Sequence, residues 1–360
     1  MILTRLFISV LLFLPSCNTK MTDEYDIVLL DDSSIKNYHW EEILNHRKTL
    51  RLENPNPDLS VVPTIVIDQS EKYYFMPDPF SGFIHIYDLS GNHIRTIGGM
   101  GSGPGEFRII RDIALGIDNS LWLYDPALKR ISIFKYPDYD YYETILLDDT
   151  IYKMIMTSDS MFIGYTLHKE HIVNKYDKTG TVINRGYHHN NEWLRLFTAR
   201  FQEGGITKSF NENLFYLIYP SEEFSIYEID YDFNINKVIK SEKQTKFRPH
   251  IRNIPNHLSP YEYTEEHINW WKSFPHIIRL YTLEPNYIVV LMYEMITINT
   301  WVFYLNIYTC DGVSITEGLP IPENARIIGT LGSNLLVTYD IKSEDRVDLK
   351  VEFYEIKELR

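Results

Sequence analysis

The stretch Gly98–Phe134, "GGMGSGPGEFRIIRDIALGIDNSLWLYDPALKRISIF", separates a nucleotide enzyme from a β-scaffold. It contains Gly99, Gly101, Gly103 and Gly105, one at every second position, with Pro104 between the last two. A dinucleotide-binding loop needs glycines at i, i+2 and i+5. Counted from Gly99 the third falls on Pro104, and from Gly101 on Glu106. Gly98 and Gly103 have the spacing of a phosphate loop, but a proline follows instead of Gly-Lys. The segment after the glycines, "FRIIRDIALGID", reads as strand, so no helix N-terminus is at hand to hold an anion. The glycines serve the backbone: they allow φ > 0 and close approach where the chain returns from an outer strand to an inner one.

Around this stretch the chain repeats. A short apolar strand followed by a second strand with an aromatic near its end starts at Tyr73, Leu121, Met161, Leu214, Tyr287 and Leu335. The spacings of these six units are 48, 40, 53, 73 and 48 residues, centred on the length of a four-stranded propeller blade. In the first unit "VPTIVID" supplies a strand before the pair and "HIRTIGG" one after it. Ser90-Gly91, Thr179-Gly180 and Asp311-Gly312 are hairpin signals at the expected places. The pattern predicts an all-β, six-bladed β-propeller of four-stranded antiparallel blades. A pair of β-sandwiches is the architecture that competes with it.

The sixth unit ends at the C-terminus without an outer strand. "EYDIVLL", Glu24–Leu30, is a spare strand at the other end, expected to close the ring at residues 24–30. Residues 34–54 are polar with scattered apolars and read as a short helix or irregular wrap. Residues 241–275 are an insertion that explains the 73-residue spacing. Within it Ser259, Pro260 and Glu262 form a capping box with proline at the first helical position, predicting a surface helix from Pro260 to Ser273.

Composition narrows the class. The 360 residues carry a formal charge of −14. The sequence pI is about 5.3 and no basic stripe is visible, so a nucleic-acid partner is excluded. The 27 tyrosines suit strands. Only two cysteines are present. The amino terminus, "MILTRLFISVLLFLPSC", has Arg5 ahead of an apolar run from Leu6 to Leu14, too short to span a bilayer but of signal-peptide length. The run ends in Leu14-Pro15-Ser16-Cys17, which resembles the lipobox of bacterial lipoproteins, although Pro15-Ser16 stands where small residues are commoner. The resemblance implies that residues 1–17 are a lipoprotein signal ending at a lipidated Cys17, with a single propeller domain over 18–360. The membrane is then a partner through the lipid. Asn18 carries no aspartate retention signal, which favours the outer membrane, on its periplasmic side or at the cell surface. Cys310 is left unpaired and read as structural.

The glycine-rich stretch also resembles the NHL-type propeller repeat. Gly103, Pro104, Gly105, Glu106 and Phe107 match its glycine cluster, and Asp118, Asp125, Arg130, Ile131 and Phe134 match the turn and strands that follow. The chain departs from the repeat at Arg108–Asp112, where proline and glycine are usual. With the lipobox and the tyrosine-rich strands, the whole resembles the six-bladed, TolB-like propeller lipoproteins of Bacteroidetes, a resemblance that implies a fold and an address rather than an activity.

Candidate site residues are few. Arg111 and Asp112 fall on an innermost strand, as a structural ion pair or as a ligand clamp in the channel. Glu294, Asp112 and Asn299 are the oxygens one would invoke for a calcium site of the propeller-lactonase kind, but no spacing supports it, so no metal or other cofactor is expected. His188 and His189 are adjacent on a strand and face opposite ways, which suits a solvated loop. Trp270 and Trp271 on the inserted helix are the best surface-binding pair, one expected to bury and the other to contact a sugar or protein. No serine-nucleophile or zinc-protease motif occurs. The expectation is a lipid-anchored binding or interaction module. A channel enzyme of lactonase or lyase type and a carbohydrate-binding accessory protein are the alternatives.

Overall fold

The computed structural model describes residues 25–357 apart from 32–37, 54–63, 68–71, 79–80, 158–160, 167–169, 189–203, 249–263 and 340–347, and apart from positions 212, 220, 222, 242, 244 and 298. They form six antiparallel sheets arranged as the blades of a propeller. Blades 1 to 6 start with the innermost strands Val66–Ile67, Asp112–Leu115, Lys153–Met156, Gly205–Lys208, His276–Leu283 and Ala325–Leu331. In blades 1 to 5 three further strands follow outward in chain order.

The physical basis is period-2 alternation on strands buried on both faces. In blade 2, Leu121 and Leu123 pack towards blade 1 with Phe75, Ile84 and Ile86. Trp122 and Tyr124 point the other way, into Met154, Met156 and Phe162 of blade 3. The same division repeats around the ring, giving six apolar clusters for six blade interfaces. The hairpin signals hold as well: Gly91, Gly180 and Gly312 all take φ between +83° and +90°.

The ring is closed by an N-terminal strand, but it is Leu44–Glu53 and not residues 24–30. Leu44–Glu53 pairs antiparallel with the last strand, Asp348–Ile356, as the outer strand of blade 6. Only three residues of this closing strand are buried, and Leu44 packs between blades 5 and 6. Leu50 and Leu52 sit in the cluster between blades 6 and 1, while the charged residues of "LNHRKTLRLE" remain outside. Asp26–Leu29 instead adds in parallel to Ile235–Lys240, making blade 4 five-stranded. Its apolar look misleads, since Ile27 is 54% and Leu29 48% exposed. The polar 34–54 segment therefore contains the closure, preceded by one helical turn at Trp40–Ile43. The inserted helix covers Glu265–Trp271, and the proposed cap at Ser259 to Glu262 lies outside the described residues.

Candidate functional site

The glycine loop is a self-contained structural joint. Phe107 N–H donates to Gly99 O (2.7 Å) and Gly101 N–H to Phe107 O (3.0 Å). Gly98 has φ +83°, and a Cβ there would stand 2.6 Å from Gly82 O. At Gly101 a Cβ would stand 2.0 Å from the Glu106 carboxylate and push it aside. That carboxylate accepts from Gly103 N–H at 2.7 Å. The Arg130 guanidinium gathers the carbonyls of Ser102, Gly103 and Glu106 at 3.0, 2.7 and 2.6 Å. The fully buried Asp125 accepts the backbone N–H groups of Arg108, Ala127 and Leu128. The Gly-Pro-Gly-Glu-Phe, Asp and Arg positions thus hold one another in place.

This joint delivers Arg111 and Asp112 to the inner edge of blade 2, where Arg111 N–H donates to Tyr124 O (2.9 Å). The two side chains do not form the expected ion pair with each other, because neighbours on an extended backbone face opposite ways. Asp112 is buried against blade 3, held by Lys153 Nζ at 2.9 Å and Met154 N–H at 2.7 Å. Arg111 is half-buried with its guanidinium 5.7 Å from the Tyr152 ring centre. Burial lowers the Arg111 pKa from its ordinary value, and the charge of Arg279 lowers it further. Arg279 is solvent-exposed on the innermost strand of blade 5. Blades 2 and 5 stand opposite one another in a ring of six. Tyr281 and then Asp112 support the charge on Arg279.

Sequence reading missed Arg279 and Lys153. The signal was present only in part: in the hairpin register Lys153 and Arg279 fall in one row with Asp112, the neighbour of Arg111. Insertions of unequal length between the units hid that alignment.

The other candidates lie elsewhere. Trp271 is 7% exposed, and its carbonyl bonds the buried His276 ring at 2.9 Å. Trp270 is half-buried, packed against the cluster between blades 3 and 4 and edge-on to Phe274 at 5.0 Å. Glu294 is engaged by Lys246 at 2.8 Å on blade 5, away from Asp112, and Asn299 is at the tip of that blade's long hairpin. Among the described residues no group of three or more His, Cys, Asp or Glu side chains could hold a metal ion. His188 packs at a tilt against His171 on the neighbouring strand of blade 3 (4.0 Å between ring centres), while His189 and Cys17 lie outside the described residues.

One titratable group makes a separate prediction. His85 of blade 1 is 3% exposed, its Nδ1 shares a hydrogen bond with Thr96 Oγ1 (3.0 Å), and its Nε2 has no partner. Burial first, then His93, lower its pKa to about 4, and Asp78 opposes them. Because the unfolded chain binds the proton more readily, stability is full above pH 6.5 and falls as pH drops towards 4. Allowing for solvent screening, about 2 kcal/mol is lost over that window. Melting temperatures at pH 7 and 4.5 should therefore differ less in His85→Leu than in the wild type; equal differences would exclude His85 as the cause.

Residues 16–294 match the model of a family described as 6-bladed beta-propeller, DUF5128. No curated protein matches the chain. Among solved structures, a Bacteroides fragilis protein assigned to export is similar at 14% identity and a TM-score of 0.66, covering 92% of this chain and 100% of its own. A DUF4221 family member from Bacteroides vulgatus is similar at 11% identity and a TM-score of 0.63, covering 88% and 98%. A virginiamycin B lyase from Staphylococcus aureus aligns at 11% identity over 85% and 99%, with a TM-score of 0.47, at which nothing about chemistry transfers. The six interlocked sheets and the match over most of the sequence agree, and the chain belongs to the six-bladed β-propeller family DUF5128.

Proposed function

We propose that the protein is a lipid-anchored, extracytoplasmic binding module that takes its ligand at the mouth of the central channel. The observation that carries this reading is the chemistry of the channel groups. Arg111 stands at the inner edge of blade 2 and Arg279 on the innermost strand of blade 5, and guanidiniums hold ligands but do not exchange protons near neutral pH. The carboxylate and ammonium beside them, Asp112 and Lys153, are already paired. Such a set suits recognition better than the acid–base work a channel lyase or lactonase would require. A glycan platform on the inserted helix is less favoured, since Trp271 is buried and Trp270 is half-covered.

The address rests on the lipobox ending at Cys17, supported by a structural relative assigned to export. Kinship with the NHL and TolB-like propeller lipoproteins of Bacteroidetes is part of the same proposal, as is an outer-membrane location. Expressed in a Bacteroides host, the wild type should incorporate a palmitate analogue and sediment with membranes, and Cys17→Ser should do neither. A Cys17→Ser protein that is still labelled and membrane-bound would remove the lipoprotein reading.

A further inference from the structure

We propose that the outer edge of blade 4 is the surface that lies against the membrane, with Ile27 and Leu29 seated among the lipid headgroups. The inference rests on the lipid-anchored reading above and adds an orientation to it. Cys17 precedes Asp26 by nine residues, and at Asp26 the chain is already paired with Lys237 on blade 4. Nine residues span at most about 30 Å when fully extended. A compact domain of this length is about 50 Å across. A lipid on Cys17 therefore holds blade 4 near the bilayer. The rim at blade 1, on the far side of the ring, is kept from reaching it.

The side chains on that edge match the position. Val28 and Leu30 turn inward and pack in the cluster between blades 4 and 5. Ile27 and Leu29 alternate with them and are exposed on the outside. The outermost strand of blade 6 differs, since its exposed positions include Asn45, His46, Arg47, Lys48 and Thr49. In register, Ile27 stands beside Val238 and Leu29 beside Lys240. Val238 in turn pairs with Tyr227, which is half-buried, so the apolar edge continues inward over that ring.

An aliphatic pair flanked by a tyrosine and a lysine suits the boundary between headgroups and acyl chains. The aliphatic side chains enter the acyl edge, the tyrosine holds the polar layer, and the ammonium reaches a lipid phosphate. Two such side chains orient a protein that acyl chains already anchor, and are too few to anchor it alone. With blade 4 against the bilayer, the channel axis runs parallel to the membrane and both mouths open sideways to solvent.

The test uses the full lipidated chain carrying Cys310→Ser and a single fluorophore on Leu29→Cys, Phe210→Cys or Leu89→Cys. All three positions are exposed. Phe210 is in the turn joining the two inner strands of blade 4, and Leu89 is in the outer hairpin of blade 1. Vesicles of phosphatidylethanolamine and phosphatidylglycerol contain a doxyl-labelled lipid as quencher. We expect the Leu29 probe, about 5–10 Å below the headgroup surface, to lose roughly half its emission. The Phe210 and Leu89 probes should stay as bright as in vesicles without the quencher. Ile27→Glu should leave flotation with the vesicles unchanged and reduce the quenching at Leu29→Cys.

The proposal is overturned if the chain floats with the vesicles but its Leu29 probe is quenched no more than its Leu89 probe. It is also overturned if the Phe210 probe is quenched most, which would lay the ring flat on the bilayer. If the full chain does not float with the vesicles, the lipid-anchored reading fails and the orientation fails with it. Flotation thus separates the failure of the anchor from the failure of the docking edge.

Discussion

Glu317→Ala is expected to destabilise the protein by about 3–5 kcal/mol, the cost of leaving a buried cation without its partner. Arg248 is fully buried, and its Nε donates to Glu317 Oε1. Its Nη1 reaches Ser241 Oγ at 2.6 Å. Tyr308 Oη and Thr245 Oγ1 donate to the two oxygens of Glu317 at 2.9 and 3.2 Å. Burial, and after it the Glu317 charge, push the Tyr308 pKa well above its ordinary value. The network ties Ser241, Thr245 and Arg248 to the outer strands of blade 5, and Asn306 reinforces it by donating to Phe247 O at 2.7 Å. Urea midpoints would measure the loss. Replacing both charges with Arg248→Met and Glu317→Leu should recover much of it, because a matched apolar pair needs no desolvated charge. A loss under 1 kcal/mol in Glu317→Ala would mean that water reaches Arg248 after the change.

The second large effect concerns ring closure. A chain beginning at Asp32 should fold, since it loses only the strand added to blade 4 and the bonds by which Leu30 and Asp31 extend it to blade 5. A chain beginning at Asn54 should not fold as a monomer. It would strip blade 6 of its outer strand and remove Leu44, Leu50 and Leu52, which are 3%, 6% and 0% exposed. At about 1.5–3 kcal/mol for each buried leucine, the loss approaches the whole stability of an ordinary domain. It would also bare the edge of Asp348–Ile356 to intermolecular pairing. Circular dichroism and size-exclusion chromatography of the two truncations decide the matter. Equal folding of both would contradict the closure by Leu44–Glu53.

The architecture was legible in the sequence because its determinants are local and repeated. Strands such as Leu121–Asp125 and Arg130–Lys135 alternate between two buried faces, and the turn glycines mark their ends. The closing strand was harder to see. Its partner lies some 300 residues away, and an edge strand that buries only Leu44, Leu50 and Leu52 looks like polar coil. The channel was legible by half. Arg111 and Asp112 are beside the repeat's best-preserved motif, whereas Arg279 follows the long insertion and emerges only once the inner strands are in register. Arg248 gave no signal at all, since a lone arginine in a polar segment reads as solvated until Glu317 is placed against it.

The strand added to blade 4 also has a mechanical meaning. Asp26–Leu29 lies parallel to Ile235–Lys240, and its bonding continues through Leu30 N–H to Lys240 O and Asp31 N–H to Gly312 O, each 2.9 Å. Val313 and Asp31 extend the contact on to blade 5. Tension arriving along the preceding chain pulls this strand lengthwise against its neighbour, so its hydrogen bonds resist together and do not peel one by one. The load is absorbed on blades 4 and 5 before it reaches Leu44–Glu53. Were the chain anchored ahead of this strand, as proposed, its leash could be tugged without the clasp of the ring being opened.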